Sequence, residues 1–353
     1  MTDTTTKASE LVALRTIDRA ANWVAVPEAW SSQGTFGTYP PGSENYSFGN
    51  SYMQWSQLFS FGTMNAIPCL ESFGSALFAA ESNRVLYRSP NGFEFMAYPG
   101  LPGVAAGDLH AEGTTLYYGC WAAGSAQRFH TSTNGKTWTA RTNPAGMVST
   151  KIQRIATGFN SNYIFSGGAG GAYGEIWLWT GGAQYVVYGF TGGNAAAEVG
   201  AVRMWPVGGL VPTIFAGAGL PTARISKSTD GANWTTTTTP FNPGGSTVKD
   251  LCAFGGHLYA GVSASGVHRT SDGTNWTLVR SALNPTCLCA SDTYLYLAEY
   301  VGIGTAAAVM RTSNGTDWTS VFPGATGFPG RMKWVSPYLY LTLDDAVWMG
   351  REL

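Results

Sequence analysis

The chain has 353 residues, 13% aromatic and 12% charged, and its 20 Lys+Arg against 21 Asp+Glu leave a formal charge of −1. Charge this sparse leaves ample apolar material for a large core. The near-neutral balance excludes a general attraction to nucleic acid or to anionic lipid.

The chain opens with "MTDTTTKASELVALR", which lacks a basic stretch followed by an apolar one, and no run of 18 apolar residues follows anywhere. Neither a secretion signal nor membrane insertion is expected. Within the N-terminal segment 1–27, "RTIDRAANWVAVP" (Arg15 to Pro27) echoes "RTSDGTNWTLVR" (Arg269 to Arg280) with one residue inserted. The stretch from Trp23 to Val26 is therefore expected to be the outer strand of the last structural repeat.

Residues 28–66 read as an aromatic-rich insertion or arm, with Trp30, Phe36, Tyr39, Tyr46, Phe48, Tyr52, Trp55, Phe59 and Phe61 around "YPPGSENYSFGNS". Connections beyond about 12–15 residues are usually functional or disordered, and this one is too aromatic for a solvated linker. Three readings stay open: a plug on the domain's own face, an arm that meets protein neighbours or a second copy, and a platform whose rings stack on sugars. Trp30, Tyr39, Tyr46 and Trp55 are its candidate contacts.

From residue 67 to the end the sequence repeats. Apolar strands start at Ala76, Thr115, Tyr163, Thr213, His257, Tyr294 and Tyr338. Six are followed by a turn phrase, with glycines at Gly92, Gly135, Gly181, Gly231, Gly273 and Gly315, spaced 42 to 50 residues apart. That period suits four short strands per unit, the size of a propeller blade. The seventh copy ends with "AVWMGREL", one strand short of a unit. The expected fold is an all-β, seven-bladed β-propeller of four-stranded blades, its ring closed by the N-terminal strand, with residues 67–353 carrying the seven blades. Closure removes the exposed edges that invite aggregation.

The turn phrases are "SPNGFEFM", "STNGKTWT", "LWTGGAQYVV", "STDGANWT", "RTSDGTNWTLV" and "RTSNGTDWTSV". Asn or Asp before Gly is a strong hairpin signal, because both central residues tolerate positive φ. The Asx side chain can accept from backbone N–H groups of its own turn, and the following Trp can bury its ring at the hairpin base or on the next blade. The structural turn residues are thus Asn134 with Trp138, Asp230 with Trp234, Asp272 with Trp276, and Asn314 with Trp318. These phrases resemble the Asp-box, or bacterial neuraminidase repeat, of β-propellers. The spacing is tighter here, with Asp or Asn directly before Gly; Asp230 and Asp272 match best, and Asn91, Asn134 and Asn314 are variants. The resemblance implies the fold and leaves function open, since such repeats occur in enzymes, receptors, assembly factors and virion proteins.

Aligning the apolar strands backward places Asp108, Arg154, Arg203, Asp250, Arg331 and Lys333 on the innermost strands. They read as channel-lining groups that pair among themselves or as a pocket for an anion, since Arg binds carboxylates bidentately. The Arg-Ile-Pro motif of sialidases is absent. The histidines His110, His130, His257 and His268 form no HxxxH or HExxH pattern, so no metal is expected, and no nucleotide-binding glycine loop suggests a cofactor. The five cysteines Cys69, Cys120, Cys252, Cys287 and Cys289 read as free buried thiols. The function expected first is a non-catalytic interaction or structural propeller, a bacteriophage tail or surface adhesion component docking protein neighbours or a host glycan. Its location would be the virion, or the cytoplasm before release. The alternatives are a lectin-like carbohydrate-binding propeller and a glycoside hydrolase with Asp108 and Asp250 as its carboxylates.

Overall fold

The structure is a computed structural model that describes residues 53–60, 66–82, 85–98, 101, 105–121, 128–143, 151–157, 163–168, 174–179, 184–190, 199–207, 211–219, 223–237, 241, 246–281, 284–300, 307–322 and 325–352. All regular structure among them is β. Strand β1 (Met53–Ser60) comes first in the chain but belongs to the last sheet. The first sheet is β2 (Cys69–Phe73), β3 (Ala76–Ala80), β4 (Leu86–Ser89) and β5 (Met96–Tyr98). An eight-stranded sheet follows, from β6 (Ala105–Glu112), β7 (Thr115–Trp121), β8 (Phe129–Ser132), β9 (Thr139–Arg141), β10 (Lys151–Thr157), β11 (Tyr163–Gly168), β12 (Gly174–Trp179) and β13 (Gln184–Phe190). Next come β14 (Val199–Val207), β15 (Val211–Ala218), β16 (Arg224–Ser228) and β17 (Thr235–Thr237), then β18 (Val248–Phe254), β19 (His257–Val262), β20 (Gly266–Thr270) and β21 (Thr277–Arg280). The chain continues through β22 (Pro285–Ala290), β23 (Leu295–Tyr300), β24 (Ala307–Thr312) and β25 (Thr319–Ser320). It ends with β26 (Pro329–Val335), β27 (Tyr338–Leu343) and β28 (Ala346–Glu352), beside which β1 lies.

The fold is an all-β propeller, but backbone hydrogen bonding gathers the strands into six sheets, not seven separate blades. The merger has a local cause. Lys151, which opens β10, pairs on the backbone with Trp121, which ends β7, so two consecutive four-stranded units run on as one sheet. The first strands of successive units adjoin in order (β2, β6, β10, β14, β18, β22, β26), and β26 lies against β2, so they surround one axis.

Each expected apolar segment is a second strand, sandwiched between strands of its own sheet, and several are packed on both faces. All six residues of β27 are buried, and so are five of six in β19 and in β23. Neighbouring units lock through the turn glycines. A Cβ on Gly135 would lie 2.5 Å from the Phe78 ring of β3, and one on Gly273 would lie 2.7 Å from the Phe215 ring of β15. Bare glycine faces let the rings of the preceding unit close over the turns, and both glycines also have positive φ, +69° in each case.

The turn chemistry repeats five times. Asn134 Oδ1 accepts from Lys136 N and Thr137 N at 2.8 and 2.9 Å, while Ser132 Oγ accepts from Gly135 N at 2.8 Å. Asp230 repeats the pattern with Ala232 and Asn233 (2.9 and 2.7 Å), and Asp272 with Thr274 and Asn275 (2.7 and 2.8 Å). Asn314 accepts from Thr316 and Asp317, both at 2.9 Å, and Asn91 from Phe93 and Glu94, both at 3.0 Å. These bonds hold the Asp230 and Asp272 carboxyls well below the usual range. The tryptophans fix the hairpin bases. Trp234 Nε1 donates to Gly231 O at 3.0 Å, Trp138 meets Tyr118 edge-on at 5.6 Å, Trp276 packs on Phe241 at 6.1 Å, and Arg280 lies 5.9 Å over the Trp318 ring. Gly181 lies outside the described residues.

The last sheet corrects the N-terminal expectation. β28 pairs with β27 along one edge and with β1 along the other, from Met53↔Glu352 to Ser60↔Ala346. Both edges of β28 are occupied by strands of the described chain, and Trp23 to Val26 lies outside the described residues. Met53–Ser60, assigned by sequence to the arm, is a blade strand.

Candidate functional site: the axial channel

The inner strands share a local device. In β6, β10, β14, β18, β22 and β26 the register with the second strand slips near the start, as a bulge between Ala106 and Asp108, Ile152 and Arg154, Val199 and Ala201, Val248 and Asp250, Pro285 and Cys287, and Pro329 and Met332. A bulge re-aims the side chain that follows it, which is how Asp108, Arg154 and Asp250 come to equivalent places. Room for it comes from glycine. A Cβ on Gly107 would overlap the Ile152 carbonyl oxygen of the next inner strand, and one on Gly200 would overlap the Val248 carbonyl oxygen.

Asp108 and Asp250 staple neighbouring inner strands. Asp108 Oδ2 accepts from Ile155 N of β10 at 2.9 Å, and the carboxylate also accepts from Leu109 N. Asp250 Oδ1 accepts from Leu251 N and Oδ2 from Leu288 N of β22, both at 2.9 Å. Burial pushes the Asp108 carboxyl up to about 6, against the pull of Arg154 and the two N–H groups. Burial raises Asp250 as well, again opposed by Arg154. Asp250→Ala would leave two backbone donors without an acceptor, at a cost of about 1–3 kcal/mol. A urea melt checks this, and unchanged stability would remove the staple role.

Arg154 reaches past β14. Its Nη1 donates to Gln153 O at 2.5 Å, and its Nη2 meets Lys249 O at 3.5 Å, on an inner strand that does not adjoin its own. Its Nε is buried with no hydrogen-bond partner. Arg203 on β14 is exposed and acts on both Asp250 and His110. Lys333 pairs with Glu71 of β2, whose carboxyl burial raises. His110 is lowered to about 4 by burial, with Lys333 and Arg203 adding to the effect. These influences link strands that do not adjoin, so the groups face a common space. Arg331 stands in the bulge before Met332 and enters none of these interactions.

Sequence reasoning missed Glu71, His110, Cys252 and Cys289 as axial groups. A reading of alternate positions along each inner strand would have found His110 two residues after Asp108, Cys252 two after Asp250 and Cys289 two after Cys287. All five thiols are free, and four of them are buried. Burial pushes Cys252 up to about 12 and Cys289 to about 11. Since the thiolate is the reactive form, Ellman's reagent at pH 8 should find no fast thiol in the native protein and five after denaturation. One native thiol reacting within the mixing time would refute this.

Trp55 is no platform residue. It is fully buried in β1, donates from Nε1 to Val321 O at 2.6 Å, and meets Phe322 edge-on at 4.9 Å. An outer strand of this sheet presses one face on the preceding sheet, and Trp55 fills that contact. Trp30, Tyr39 and Tyr46 lie outside the described residues. Among the described residues no cluster of His, Cys, Asp and Glu could hold a metal ion, and no helix is long and apolar enough to cross a membrane.

Residues 212–333, about a third of the chain, match the DUF6242 β-propeller domain. No curated protein matches the sequence. Among solved structures, the chain resembles a catalytically inactive virginiamycin B lyase from Staphylococcus aureus with quinupristin, at 10% identity and TM-score 0.61, over 85% of this chain and 100% of that one. It also resembles YCF48 bound to D1 peptide, at 11% identity and TM-score 0.62, over 88% and 99% of the two chains. YCF48 from Cyanidioschyzon merolae is similar at 12% identity and TM-score 0.59, over 84% and 98%. At these identities the likeness concerns the fold.

Proposed function

We propose that this chain is a non-catalytic docking propeller that binds a protein neighbour through the face opposite its Asx-Gly turns. The observation that carries this reading is the occupation of the axial carboxylates. Asp108 and Asp250 hold backbone N–H groups of adjoining strands, and Glu71 holds Lys333. A glycoside hydrolase needs two carboxylates free to exchange protons with substrate or water. The docking face has apolar material of its own. Trp121 at the end of β7 is 48% exposed, and Phe328 just before β26 is 49% exposed, with Tyr300 at 4.8 Å. Exposed aromatic rings of this kind are common anchors in protein interfaces.

The finer reading is an Asp-box-type propeller serving as a bacteriophage tail or surface component. The five Asx turns and the charge-poor, glycine-rich composition favour it. Crosslinking mass spectrometry on purified particles tests it. Crosslinks from Lys151 and Lys249, near the starts of their inner strands, to another chain are the expected result. A glycan array scored for retained protein and for released sugar is the counter-test. Retention would favour a lectin, and release would overturn the non-catalytic reading.

A further inference from the structure

We propose that Arg154 and Arg203 form an axial site for a small anion, a carboxylate or a phosphate, held between guanidinium groups of adjoining inner strands. The inference goes beyond the docking role and does not depend on it.

A guanidinium offers five N–H donors in a fixed fork suited to carboxylate and phosphate. Arg154 uses Nη1 on Gln153 O and holds Lys249 O only at 3.5 Å. Its Nε is buried with no partner. Neither Arg154 nor Arg203 makes an ion pair within 4.0 Å among the described residues, although Asp108 and Asp250 stand near enough to feel their charge. The reason is geometric. Both Asp250 oxygens are committed to Leu251 N and Leu288 N, and the Asp108 carboxylate to Ile155 N and Leu109 N. These carboxylates balance charge at the axis without satisfying the guanidinium donors. Two other partly buried cations are paired directly, Arg280 with Glu299 at 2.5 Å and Lys333 with Glu71. A buried donor without a partner is costly, and a small anion between the two arginines would take up such donors.

His110 supplies an internal reporter. The charges of Lys333 and Arg203 act on its ring, which has Glu112 Oε2 at 3.9 Å from Nε2 and the Tyr117 ring at 6.4 Å. An anion beside Arg203 offsets part of the cationic field on that ring and eases its protonation.

The experiment titrates the full chain with sodium acetate and, separately, inorganic phosphate, each against sodium chloride at matched ionic strength. It follows the pH midpoint of the His110 ring titration by NMR and the thermal midpoint. Either anion should raise both beyond the chloride control, and the stronger of the two identifies the ligand class. Arg203→Gln, at an exposed site that does not threaten folding, should weaken the response at least tenfold, while His268, away from the axis, should not respond. Two outcomes overturn the proposal: neither anion exceeds chloride, or Arg203→Gln responds like the unaltered protein.

Discussion

Replacing Trp55 by alanine is expected to lower the unfolding free energy by about 3–5 kcal/mol, the usual cost of removing a buried indole. Three losses combine. The side chain is fully buried, its Nε1 no longer donates to Val321 O at 2.6 Å, and the edge contact with Phe322 disappears. Phe322 also packs on Trp348 of β28 at 5.4 Å, so the cavity opens between β28 and the preceding sheet. Urea unfolding followed by tryptophan fluorescence reads the effect. A loss below about 1 kcal/mol, the ordinary range for a substitution away from the core, would mean that β1 is not integral to the last sheet. The same variant separates two roles for this residue, because a sugar platform at Trp55 would lose ligand binding and keep its stability.

The second large effect is expected at Gly107. Alanine there should cost more than about 4 kcal/mol, the range reserved for specific steric or electrostatic failures, and should deplete the soluble folded protein. Its Cβ would overlap the Ile152 carbonyl oxygen, a backbone atom of the next inner strand that cannot swing aside. Gly113 is the control. It has positive φ, +54°, but open space around the missing Cβ, so Gly113→Ala should cost only the left-handed strain of about 1–2 kcal/mol. Parallel melts of the two variants decide the matter, and equal losses would refute the close approach of the inner strands.

The second strands and turns were legible because both follow local rules. A strand packed on both faces reads as a continuous apolar run, and an Asx-Gly pair defines its turn within four residues. What is not local was hidden. The echo at Trp23 looked more like an outer strand than "MQWSQLFS" does, yet Met53 and Trp55 are the residues that fill the last sheet's contact. A spacing count cannot reveal that Lys151 and Trp121 pair and merge two units. Counting backward found Asp108, Arg154 and Asp250 because each follows a bulge of the same kind. It missed Glu71 because β2 pairs with β3 without a slip, so its axial residue falls out of step with the others.

The pairing of β1 with β28 also bears on the order of events as the chain is made. Met53 leaves the ribosome long before its neighbour Glu352, and almost the whole described chain lies between them. Contacts at such separation form slowly, because loop-closure entropy must be overcome first. The other sheets can each form from a nearly continuous stretch, whereas this one has to wait for the final strand. Until then the apolar face of β1, with Met53 and Trp55, is without its partner, and that interval is when the nascent chain is most exposed to aggregation.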